Sequence, residues 1–152
     1  IDIMTEISKF FERLGSLIPG YRGYSDRNTL RESDYQLRLY IKQKIENLIL
    51  QIEKSKTSLD DEKLLKIDKI QNNLKLFCVR IANQSYGYSS MFDTKNAEND
   101  LREKKLSLLI ENDEKFINII QDLSMENHNF DGLSSLEKDL DELLIQRKEI
   151  IT

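Results

Sequence analysis

Helix breakers are scarce in this sequence: Pro19 is the only proline, and five glycines are spread over 152 residues. Long stretches therefore contain nothing that would interrupt a helix, and each breaker marks a place. A single cysteine, Cys78, excludes an intrachain disulfide and a cysteine zinc site. It sits among Leu74, Phe77, Val79 and Ile81, which predicts a buried structural thiol. The only histidine, His128, falls in a polar turn far from Cys78 in sequence, so no Cys-His catalytic pair is expected. Tryptophan is absent. No apolar run approaches the ~18 residues of a membrane span, and no signal-peptide pattern is present. A Walker lysine motif, a dinucleotide glycine pattern and paired Glu-x-x-His ligands are all missing. These absences lead us to expect a cytoplasmic protein that is not an enzyme and carries no cofactor and no metal.

The charge is uneven. Residues 97–152 hold 7 basic and 14 acidic side chains, against an overall net charge of −4. An acidic C-terminal third argues against a chain whose main task is to wrap nucleic acid. Asn127, Asn129, Asp131 and Gly132 imitate the first half of a calcium loop, but Lys138 stands where the bidentate glutamate belongs. An Asx-rich turn between helices, ended by Gly132, is the expectation there.

Apolar residues recur every three or four positions over most of the chain, the signature of amphipathic helices. Ile3, Ile7, Phe10, Phe11, Leu14, Leu17 and Ile18 define a short N-terminal helix over 2–15, ended by Gly15 or by Pro19-Gly20. Leu30, Leu37, Ile41, Ile45, Leu48 and Ile52 define a second over 28–56. Ser58 is the expected N-cap of a third, over 58–85, striped by Ile67, Ile70, Leu74, Phe77 and Ile81. Leu101, Leu108, Phe116, Ile119, Ile120 and Leu123 stripe a fourth, over 97–124. Leu133, Leu136, Leu140, Leu143, Arg147 and Ile150 stripe the last, over 133–151. No segment alternates as a strand would. The expected fold is all-α: an antiparallel helical bundle of four main helices plus a short N-terminal amphipathic helix, forming a single domain over 1–152.

Two connections break the pattern. IPGYRGYSD (18–26) packs a proline, two glycines and two tyrosines into nine residues, and SYGYSSMFDTKN (85–96) again joins tyrosines to a glycine. Tyr21, Arg22, Tyr24, Arg27 and Arg31 form one candidate cluster; Tyr86, Tyr88, Phe92 and Asp93 form the other. Guanidinium groups stacked on tyrosine faces recognise phosphates, bases or carboxylates. The competing reading is a structural corner, with the rings closing the bundle end and Arg22, Arg27 and Arg31 paired to Asp26, Glu32, Asp34 or Asp93.

PGYRGY, the Arg/Glu/Asp-rich start RESDYQLR (31–38) and YGYSSMFD (86–93) resemble a bacterial family of uncharacterised helical proteins. Its members carry PGYxGY and YGYSGxFD-like segments. This chain departs from them with Ser90 at the glycine position, and Asp113 is similar to an aspartate of that family. The resemblance implies a helical domain and draws attention to the two loops without naming a ligand. The leading expectation is a scaffold or protein-interaction domain whose partner is a protein, a second copy of the chain included. The alternatives are an anionic ligand or nucleic acid held by the Tyr/Arg/Gly loops, and a membrane surface bound through residues 3–18.

Overall fold

The computed structural model describes residues 3–23, 27–84, 99–121, 123 and 129–151; side chains in α1, α2 and α4 are described from residues 8, 30 and 104 onward. The described residues form five helices and no strand: α1 (Ile3–Leu17), α2 (Arg27–Ser55), α3 (Asp61–Ala82), α4 (Asn99–Gln121) and α5 (Phe130–Ile151). This is the expected all-α bundle. Among the described residues no helix is long and apolar enough to cross a membrane.

The helices α2 and α3 bury the stripes that their spacing defines. In α2 that stripe is Leu30, Leu37, Ile41, Ile45, Leu48 and Ile52, and in α3 it is Ile67, Ile70, Leu74, Phe77 and Ile81. All are nearly inaccessible, so their apolar surface drives association of the helices. Phe77 of α3 and Phe116 of α4 meet across the core, with ring centroids 6.2 Å apart. Cys78 is buried, as expected, and burial pushes its thiol up to about 11.

The helix ends differ from expectation in ways that capping explains. Gly15 does not end α1; the helix continues to Leu17 and the chain leaves through Pro19 and Gly20, where φ is +83°. Asp60, not Ser58, caps α3: its carboxylate accepts the Lys63 N–H at 2.9 Å. Residues Lys56–Ser58 instead form a single 3-10 turn. Gly132 does not end a turn but lies within α5, because Asn129 Oδ1 accepts the Gly132 N–H at 2.7 Å and starts the helix earlier. From Phe130 onward, then, the calcium-like spacing is helical.

The inner face of α4 is also displaced. Leu109, Ile110, Asp113, Phe116, Ile117 and Ile120 point inward, whereas Leu108 is 45% exposed and Ile119 half-buried. Leu106 to Ile110 is apolar on nearly every side except Ser107, so that segment does not fix its own phase. Leu101 lies outside the described side chains.

Pairings fix the directions. Arg38 reaches Ile81 and Ala82 while Gln71 reaches Ile49, so α2 and α3 are antiparallel. In contrast, Asn73 meets Glu137 and Gln84 meets Leu144, so α3 and α5 run parallel. Lys105 and Leu108 share a cleft with Glu149 and Ile150, and Ile119 shares one with Asp139, so α4 and α5 are antiparallel. It follows that α2 and α4, which also pack together, are parallel. The bundle is therefore two antiparallel hairpins, α2–α3 and α4–α5, laid side by side in the same sense. The helix α1 lies on α4, where Arg13 donates to Asn118 and Gln121 at 3.0 and 3.1 Å.

Candidate functional site

Residues 18–23, the described part of the first tyrosine-glycine segment, pack against α1 and α2. Tyr21 is 6% exposed, and its ring lies 6.2 Å from that of Phe11. Gly23 has φ +81°, and a Cβ there would sit 2.8 Å from the Phe11 ring, so both its backbone and its packing require glycine. The Arg22 N–H donates to Ser33 Oγ at 2.9 Å, tying the segment to α2, and the Arg22 side chain is exposed. Arg31 is exposed on the first turns of α2. Arg27 opens α2, but its side chain is not among those described. Tyr24, Asp26, Tyr86, Tyr88, Phe92, Asp93 and His128 lie outside the described residues. The Tyr21 ring is thus buried rather than open to solvent.

Asp34 enters a buried ionic chain. One Asp34 oxygen accepts Arg147 Nη2, and the other accepts Arg38 Nε at 2.9 Å. Arg147 also donates through Nε to Asp113 at 2.7 Å and through Nη1 to Gln84 at 3.3 Å. Arg38 Nη1 caps the end of α3 at the Ile81 and Ala82 carbonyls, 3.1 and 2.8 Å away. The Arg147 side chain is fully buried, as is that of Asp113. Two guanidinium groups and two carboxylates thus cancel inside the bundle and join α2, α3, α4 and α5 at one end.

Every carboxylate oxygen of Asp34 is engaged by an arginine, so this carboxylate is placed as a structural link rather than as a base waiting for substrate. Sequence reasoning did not single out these residues as a site. The signal was present: Arg147 occupies a stripe position of α5, and Asp34 and Asp113 occupy the gaps in the stripes of α2 and α4. At the opposite end a looser cluster joins α2 to α3. Lys56 contacts Asp68 at 2.6 Å, Glu53 at 2.9 Å and Gln71, and Asp68 foremost holds its ammonium above the usual lysine range.

The outer surface carries a second feature. Between α4 and α5 lie two clefts of about 420 and 390 Å³ that share Lys115 and Gln146, and so form one groove. Leu108, Ile119, Leu143 and Ile150 supply its apolar lining. Asn112 closes the floor by donating to the Leu143 carbonyl at 3.1 Å. The α4 rim carries Lys105, Glu111 and Lys115, and the α5 rim carries Asp139, Glu142 and Glu149. Among the described residues, no group of three or more His, Cys, Asp or Glu could hold a metal ion.

No family model, curated protein or solved structure matches this chain.

Proposed function

We propose that this chain is a protein-interaction bundle of the cytoplasm, acting through its surface rather than through a reaction centre. The observation that supports this reading is the groove between α4 and α5. Its apolar lining is flanked by polar rims, the arrangement that amphipathic helices dock into. Beside this groove α4 already receives such a helix: α1 and the residue that follows it bury Phe10, Leu14 and Ile18 in the bundle. The same burial takes those three side chains away from any membrane surface.

The test is site-specific photo-crosslinking in cells. A benzophenone amino acid at position 108, in the groove, should give protein adducts several-fold above the same group at position 62, on the exposed first turn of α3. Equal yields at the two positions would remove the groove as an interaction surface.

A further inference from the structure

Opposite charges on the two rims of the α4–α5 groove point to its occupant. We infer that the groove docks on the same groove of a second copy, about a two-fold axis parallel to the helices. The inference rests on the groove being the interaction surface and names the partner.

Height and sign of the rim charges select the arrangement. The Asn112–Leu143 hydrogen bond sets the register of the antiparallel pair, which puts Lys105 and Glu149 at about the same height on opposite rims, and likewise Lys115 and the pair Asp139 and Glu142. The α4 rim carries a net charge of +1 and the α5 rim −3. A two-fold axis along the helices keeps each residue at its height and exchanges the rims. The α4 of one copy then covers the α5 of the other. Lys105 meets Glu149 of the second copy, and Lys115 meets its Asp139 and Glu142. Leu108, 45% exposed in the single chain, covers Ile150 of the second copy. A two-fold axis across the helices fails this comparison, because it lays α4 on α4 and brings lysine towards lysine. An isologous interface requires this self-complementarity, and juxtaposing like charges is what rejects a wrong arrangement.

Sedimentation equilibrium of the full chain tests it, with Lys105→Glu, Glu149→Lys and the double variant, each verified as helical by circular dichroism. The wild type should show a concentration-dependent monomer–dimer equilibrium. Each single reversal acts twice in a symmetric dimer and should weaken it about tenfold, while the double variant should return to near the wild-type constant. A monomer at every concentration, or a dimer indifferent to the single reversals, would overturn the inference. So would a double variant no tighter than either single one. If the chain stays monomeric while position 108 still crosslinks to other proteins, the interaction surface stands and only its occupant is wrong.

Discussion

Arg147 is the side chain on which most of the buried polar contacts converge, and its removal separates two kinds of cost. Arg147→Met keeps an apolar stem in the core but leaves Asp34 and Asp113 facing each other without their shared cation. Breaking a buried pair from one side typically costs about 3–5 kcal/mol, so urea unfolding should show a loss of that order. A loss below about 1 kcal/mol would mean that the carboxylates find water or other partners. Gly20 and Gly23 provide a comparison at nearly equal φ, +83° and +81°. A methyl at Gly20 meets the flexible Gln36 side chain at 3.2 Å, whereas at Gly23 it meets the Phe11 ring at 2.8 Å. Both alanine variants carry the left-handed strain of about 1 kcal/mol, so Gly23→Ala should melt lower than Gly20→Ala by the ring clash alone. The corner was legible at this scale because glycine, proline and tyrosine announce it locally. The ionic chain was not, because Asp34 and Arg147 are 113 positions apart and a lone charge on a stripe does not name its partner.

Between elements, legibility followed the completeness of each stripe. The stripes of α2, α3 and α5 are apolar at nearly every inward position, so their inner faces were readable from spacing. That of α4 was misplaced by Leu108 because its neighbours Leu106, Leu109 and Ile110 are apolar too. Cap residues moved the helix starts by a few positions, since Ser58 and Asp60 are both good caps and only the geometry chooses. Asp60→Ala should therefore cost about 1 kcal/mol in thermal unfolding, and Ser58→Ala much less. The α3–α5 face carries a pH signature. Burial raises the carboxyls of Glu137 and Asp141 above their usual range, opposed by the Asn73 hydrogen bond at Glu137 and by Arg80 at Asp141. A carboxyl whose folded pKa exceeds its unfolded one binds its proton more tightly when folded. Its contribution to stability therefore falls as pH rises from the ordinary carboxylate value through the raised one. At neutral pH Asp141→Asn should raise the melting temperature, and the gain should disappear in acid, where the wild type is itself protonated. A lower melting temperature at neutral pH would show that attraction to Arg80 outweighs burial.

For the whole molecule, the question is why two hairpins settle with α3 beside α5 and α2 beside α4. Apolar stripes alone do not decide this, since Leu and Ile seams bury similar areas in several arrangements. The ionic chain does discriminate, because Asp34, Asp113 and Arg147 come from three helices and meet only when α2, α4 and α5 present the same end together. A pairing that moves one of these three helices away from the others breaks at least one of these buried contacts, a penalty of several kcal/mol. The network thus acts chiefly against alternatives, and this separates it from a device for stability. Replacing the whole set at once, with Arg38→Met, Arg147→Met, Asp34→Leu and Asp113→Leu, removes together every buried charge among the described residues. Such a chain should unfold at a urea concentration close to that of the wild type, in contrast to the single Arg147→Met. Its amide spectrum should nevertheless broaden or double as the hairpins sample more than one pairing. Sharp, single resonances in the fourfold variant would show that the stripes fix the pairing unaided. A large loss of stability would show instead that the network holds the bundle together.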